Sequence, residues 1–362
     1  MKKKLKDIYS LIIKKIFDYI YSNLLLADNN FFKENVEIQK VFLSNKKVKS
    51  YKIFILKKSR IYSDNSENLA VIKKGYLLPE ISLQLGKNYL LETSKNKILK
   101  TGTRKLIQKK LKGTTLSLVQ GISAINNYGH WMLDILPKLC IAESYRNLNS
   151  FDSIYLPSLK QKFQIDSLKY FDIDPSKFID GSTIRHIYAD KLIIPQHPYW
   201  EINQNQMDTV SNVDPDIVNI LRNKFIQKLD NNNQRKLFID RSDSNFFHNQ
   251  ISNYDEIKEL LIKNNFQIIK LTKLSFEEQI KHFQNADIIF SAHGAGLCNT
   301  IFCKPGTKLI EISNTINKCK IFKNISEINN MEYYKLVSTK PPPTDRINPD
   351  IFVPMDELIS LI

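Results

Sequence analysis

Cysteine is scarce in this sequence and carries no pattern. Among 362 residues only Cys140, Cys298, Cys303 and Cys319 occur, no pair has CxxC spacing, and none stands beside a histidine at metal-ligand distance. Neither a disulfide framework nor a zinc site is indicated, and four free thiols suit a reducing compartment. No uninterrupted apolar run reaches the roughly 18 residues of an ordinary transmembrane helix. Repeats of solenoid length are absent. So are the aromatic–basic segments of RNA-binding sheets and any recognition-helix pattern, which argues against a nucleic-acid partner.

Positive charge is abundant. Lys and Arg number 53 against 37 Asp and Glu, a formal net charge of +16. Such an excess favours an anionic partner, either a phosphorylated substrate or an anionic membrane surface. The length suffices for two ordinary domains, and 42% hydrophobic residues can fill their cores.

Residues 1–30 form a segment of their own. Leu5, Ile8, Ile12, Ile16, Ile20 and Leu24 recur at helical spacing, and Lys2, Lys3, Lys4, Lys6, Lys14 and Lys15 make the segment basic. Two readings stay open: a helix lying on an anionic leaflet, and a first helix packed on its own domain. Lys14, Lys15 and Asp18 interrupt the apolar stretch and argue against a cleaved signal peptide.

Residues 31–200 read as one domain. Its start is strand-rich, with short β-prone runs at 41–43, 51–56, 69–72 and 116–119, and a helix is expected over 127–142. Further strands are expected at 154–156, 184–188 and 191–194, and a helix at 160–170. The polar stretch 196–214 reads as a linker. Residues 201–362 read as a second domain, in which strand and helix alternate from a helix at 216–229 onward. That alternation predicts a parallel, doubly wound sheet.

Three segments carry chemistry. Ser291-Ala-His-Gly-Ala-Gly-Leu-Cys-Asn299 follows an apolar run and reads as strand, glycine turn and helix start. A helix start offers unpaired N–H groups and partial positive charge to a phosphate, and the glycines permit close approach. The spacing is not GxGxxG, so NAD is not indicated. The second segment, Lys236-Leu-Phe-Ile-Asp-Arg241, delivers an arginine at a strand end, suited to bidentate phosphate contact or to a surface salt bridge. In the third, Asn127-Tyr-Gly-His-Trp-Met-Leu-Asp-Ile-Leu-Pro137, His130 and Asp134 stand four apart on one helix face. A carboxylate beside an imidazole suits a general base, or a structural hydrogen bond. Trp131 reads as core or as an acceptor platform. Glu311 stands at a strand end, where it could meet ribose hydroxyls, cap a helix or pair with a lysine. Asp172-Ile-Asp174 matches the DxD of metal-dependent transferases but reads as a loop before Pro175.

In this order and spacing the three segments resemble the family 61 glycosyltransferases. The likeness covers roughly residues 115–335, and Cys298 stands where the family often has Thr. It implies a GT-B architecture, two Rossmann-like domains facing across a cleft. The implied reaction is inverting sugar transfer from a nucleotide-sugar donor with no essential metal or other cofactor. His130 and Asp134 would then be catalytic, with Asn127 and Trp131 on the acceptor side. Arg241, His293, Gly294, Ala295, Gly296, Leu297, Asn299 and Glu311 would hold the donor. The resemblance and the charge together imply a surface-polysaccharide acceptor such as capsule or lipopolysaccharide, lipid-linked at the cytoplasmic face of a membrane. The alternatives are a metal-dependent transferase using Asp172 and Asp174, and a non-catalytic nucleotide- or glycan-binding protein of the same fold.

Overall fold

The computed structural model describes residues 2–44, 49–63, 68–84, 90–102, 106–119, 126–199, 211–226, 235–242, 249–315, 317, 319–339 and 350–362, without the side chains of residues 2–4 and 6. The chain divides into two compact units, Met1–Thr209 and Val210–Ile362. Both are mixed α/β.

In the first unit the long strand Ser50–Ser63 organises a mixed sheet. It pairs antiparallel with Glu37–Phe42, with Asn68–Lys73 and with His186–Pro195. From His186–Pro195 outward the sheet turns parallel, running through Lys109–Ser117 and Ser153–Leu156 to Phe178–Asp180. Two expected strands, 184–188 and 191–194, are one strand. The polar Asp190 breaks the apolar pattern, yet the chain continues through it with only a register shift against Lys109–Ser117. The expected run 51–56 likewise continues to Ser63, passing Lys58 at φ 49°. Lysines 57 and 58 hide that continuity from hydropathy.

The helix Lys2–Tyr21 holds to this sheet through Phe17, which is fully buried among Leu24, Ala70, Ile72, Leu77 and Ile98. The phenylalanine lies directly on the Cα of Gly102. A Cβ there would come within 2.7 Å of Phe17, and Gly102 also sits at φ 61°. Phe17→Ala should therefore cost ~3–5 kcal/mol in denaturant unfolding, the range for truncating a fully buried phenylalanine and leaving a cavity.

The second unit is built on five parallel strands in the order Phe266–Ile269, Arg235–Ile239, Ala286–Ala292, Lys308–Ser313, Glu332–Val337. Helices cover both faces. Tyr254–Lys263 and Met355–Leu361 pack with Phe238, Phe290 and Ile310 on one side. On the other, the helices Pro215–Phe225 and Phe276–Gln284 meet the 3-10 helix Ala295–Phe302 through the rings of Phe225, Phe276 and Phe302, with centroids 5.2 to 6.1 Å apart. The Phe276–Gln284 helix starts with a capping box between Ser275 and Glu278.

Candidate functional site

In the second unit the first strand in sequence, Arg235–Ile239, lies between the second and third. Chain direction across the sheet reverses there, and ligands of open parallel sheets bind beyond the strand C-termini at such a switch point. Arg241 follows the first strand, and His293-Gly294 follow the third, Ala286–Ala292. The two meet. Arg241 Nη1 and Asn249 Nδ2 both donate to the His293 carbonyl. The Arg241 guanidinium also lies over Gly294, where any Cβ would overlap its Cζ. Gly294 has φ 170°, extended backbone open to any residue. What it supplies is space.

His293 is fixed on every side. Its N–H donates to the Ile312 carbonyl at 2.8 Å, and its Nδ1 donates to Glu311 Oε1. Tyr333 donates its hydroxyl to Glu311 Oε2 at 2.8 Å. Burial first, and then the Glu311 charge, push the Tyr333 phenol well above its ordinary range. Asp240 stands next to this corner. It accepts from the Ser242 N–H and the Tyr254 hydroxyl, each at 2.9 Å, with the Lys270 ammonium at 3.5 Å. Burial opposes its charge, but those donors hold its pKa below the ordinary value. Burial and Asp240 in turn raise Tyr254 to about 12. Asp240, Arg241, Asn249, Tyr254 and Ala292 line one small pocket of about 80 Å³.

Not all of the 293–299 segment faces this corner. The Leu297 N–H donates to the Gly294 carbonyl at 3.0 Å, which closes the turn, and its side chain is buried. Asn299 is buried as well, its amide donating to Gln279 Oε1 at 3.0 Å. Both were expected among the donor ligands; a 3-10 turn directs them into the core instead. Glu311 has both oxygens engaged by His293 and Tyr333, so it positions His293 rather than presenting a free carboxylate.

In the first unit a second cluster forms by the same rule. Lys109–Ser117 and His186–Pro195 are adjacent parallel strands, and the other parallel strands extend away from Lys109–Ser117 on its far side. The helical segment that begins at Tyr128 comes after the first of these strands, and His197 and Tyr199 follow the second. Asn127 caps the helix, its Oδ1 accepting from the N–H groups of Gly129 and His130. The next turn, Trp131–Ile135, is π-helical, with the Leu136 N–H reaching the Trp131 carbonyl. Pro137 explains it. Proline has no N–H for the carbonyl four residues back and clashes with it, and a widened turn relieves both. Trp131 is fully buried, with its Nε1 donating to Ser167 Oγ at 2.8 Å. That places it in the core, away from any acceptor.

His130 Nδ1 lies 2.9 Å from Asp134 Oδ2. Tyr199 donates its hydroxyl to Asp134 Oδ1, and His197 Nε2 faces Oδ2 at 3.7 Å. Burial opposes the charge on Asp134, but His130 above all, with His197, depresses its pKa far below the usual carboxylate range. The ionised carboxylate only accepts, so His130 Nδ1 carries a proton and Nε2 is left to react. Burial lowers and Asp134 more than restores the His130 pKa, which lies above its ordinary value. Burial drives His197 down to about 4 and Lys138 down to about 7. Lys138 donates to the Leu118 carbonyl at 2.7 Å behind the cluster. The His130 side chain keeps 29% of its surface exposed while Asp134 keeps none, so the imidazole is the group a solute can touch.

His197 and Tyr199 lie inside the stretch read as a linker, whose first residues instead pack onto the sheet just beyond the strand His186–Pro195. The Gln196 N–H donates to the Lys52 carbonyl at 2.8 Å, and His197 is buried. The strand 191–194 running into His-Pro-Tyr was the available signal. Asp172 and Asp174 sit in a loop. Asp172 is left-handed at φ 49°, and Asp174 caps a short 3-10 helix by accepting from the Ser176 N–H. Among the described residues no group of three or more His, Cys, Asp or Glu is placed to hold a metal ion.

The family model described as Glycosyltransferase 61 matches residues 128–310, about half of the chain, a span that includes His130, Asp134, Arg241 and His293. A curated relative, beta-1,2-xylosyltransferase RCN11 of Oryza sativa subsp. japonica, is 25% identical over 132 residues, which make up 32% of this chain and 25% of that protein. The match thus spans about a quarter of the relative's length.

Proposed function

The chain belongs to the glycosyltransferase 61 family, and on that premise we propose that it moves a sugar, with inversion, from a nucleotide-sugar donor to an acceptor hydroxyl. The observation that carries the reading is the meeting of Arg241, His293 and Gly294 at the switch point of the parallel sheet. A guanidinium held against a glycine, beside the amides of Ala295 and Gly296, suits a diphosphate. His130 and Asp134 suit the other half of the reaction.

In the proposed step the acceptor oxygen gives its proton to His130 Nε2 and forms a bond to the anomeric carbon. The bond from that carbon to the diphosphate breaks on the opposite face, and the nucleoside diphosphate leaves with the electron pair. Asp134 holds the tautomer and balances the imidazolium; buried and with both oxygens engaged, it is the orienting member of the pair rather than the base. Arg241 and the turn amides meet the charge that develops on the leaving group, which is electrostatic catalysis. The GT-B arrangement, with the first unit serving the acceptor and the second the donor, is part of this proposal and is supported by the family membership. A surface-polysaccharide or lipid-linked acceptor is supported by the resemblance and by the +16 charge.

A thermal-shift screen of nucleoside diphosphates and their sugar conjugates, including a xylose conjugate in view of the relative's name, tests the donor half. A ligand at about 100 times its Kd adds ~2.7 kcal/mol to the stability of the unit that binds it. No shift with any conjugate, together with no hydrolysis of labelled donors, would refute the reading.

A further inference from the structure

The Lys2–Tyr21 helix has two unlike faces. Inward, Phe17 is fully buried and Tyr21 packs on the same cluster. Outward, Leu5, Ile8, Ile12, Ile16 and Ile20 are each between 40% and 61% exposed. At helical spacing these five fall in an arc of ~120° whose centre lies ~120° around the helix axis from Phe17. From Leu5 to Ile20 the apolar stripe legible in the sequence therefore turns away from the domain, while Phe17 and Tyr21 hold the helix to it.

Charge indicates what covers that stripe. The helix contains Lys2, Lys3, Lys4, Lys6, Lys14 and Lys15 within a chain of net charge +16. Lys14 is paired with Asp18, while Lys15 is exposed. A second copy would set two such basic helices side by side, with like charges opposed. An anionic bilayer complements both features: acyl chains for the stripe and lipid phosphates for the lysines. No described helix is long and apolar enough to cross a membrane, which leaves the interfacial plane. We propose that the Lys2–Tyr21 helix is a membrane-surface anchor, lying in the headgroup region of an anionic bilayer with the stripe from Leu5 to Ile20 facing the acyl chains. This inference does not depend on the transfer reaction.

Co-sedimentation of the full chain with vesicles tests it, comparing phosphatidylcholine alone with phosphatidylcholine and phosphatidylglycerol in about equal parts. The mixed vesicles should bind at least about tenfold more tightly, with binding that weakens as salt rises. The double variant Ile8→Asp/Ile12→Asp should lose about tenfold or more on mixed vesicles. It should keep its melting temperature, because neither side chain is buried. Lys15→Gln should lose about fivefold on mixed vesicles and little on phosphatidylcholine. Three results would each overturn the proposal. One is no sedimentation with mixed vesicles. Another is equal sedimentation of parent and double variant, or of parent with both lipid compositions. The third is a parent that is dimeric in light scattering, becomes monomeric in the double variant and ignores vesicles, which would make the stripe a contact between copies.

Discussion

His130→Ala should lower sugar transfer by ~10²–10⁴-fold while leaving nucleoside-diphosphate affinity within about twofold, since an interaction made only in the transition state does not report on donor binding. Single-turnover rates with labelled donor, paired with calorimetry, separate the two quantities. Loss of binding along with rate, or full turnover in the variant, would remove His130 from the chemistry. Asp134→Asn should fall in the same range by a different route. The amide cannot fix the Nδ1–H tautomer as an ionised carboxylate does, and it leaves the imidazolium without a counter-charge. The pH profile distinguishes base from bystander. A base must be neutral to take a proton, and Asp134 raises the His130 pKa. Transfer should therefore climb with pH through an inflection above the ordinary imidazole value of about 6.5, and Asp134→Asn should move that inflection down. Stability follows the same two shifts. The contribution of His130, whose folded pKa is raised, is full below its unfolded value and lost as pH rises through the folded one. The contribution of Asp134, whose pKa is depressed, is present above the unfolded carboxylate value and lost as pH falls through the folded one. The pair thus supports the fold most between about pH 4 and pH 6.5.

Arg241→Ala should weaken nucleoside-diphosphate binding ~10- to 100-fold, the range for a hydrogen bond to a charged group. Gly294→Ala should weaken it by a comparable factor even though its methyl group is small and its backbone is extended. The new Cβ would come within 2.4 Å of the guanidinium carbon, so Arg241 must leave its station above the turn. The decisive measurement is the double variant. If both substitutions act by removing one clamp, the pair should bind no more weakly than either alone, a coupling of ~1.5–3 kcal/mol. Additive losses would mean that glycine and arginine serve separate purposes.

The features legible in the sequence were those written locally. The apolar run before His293, the strand ahead of Arg241 and the four-residue step from His130 to Asp134 all lie within one element each. The structure brings these residues into two corners. What stayed hidden depends on distance along the chain. Tyr199 reaches Asp134 across 65 residues and Tyr333 reaches Glu311 across 22, and no periodicity announces either meeting. The sequence also does not tell which side of a tight turn a residue takes. Leu297, Asn299 and Trp131 sit inside motifs and point into the core, because a motif is read as a string while a 3-10 or π turn sorts its members by face. The antiparallel half of the first sheet was visible only as short runs, since paired lysines and an aspartate on the long strands interrupt the apolar count without interrupting the ladder.

His293 has its N–H on the Ile312 carbonyl, its carbonyl beneath Arg241 and Asn249, and its Nδ1 on Glu311. Only Nε2 remains, and no rotamer is left to choose. A ligand that docks there finds a group whose configurational entropy was already surrendered when the sheet assembled. The ordering cost of association then falls almost wholly on the ligand's own torsions, and a stiff pyrophosphate brings few of those.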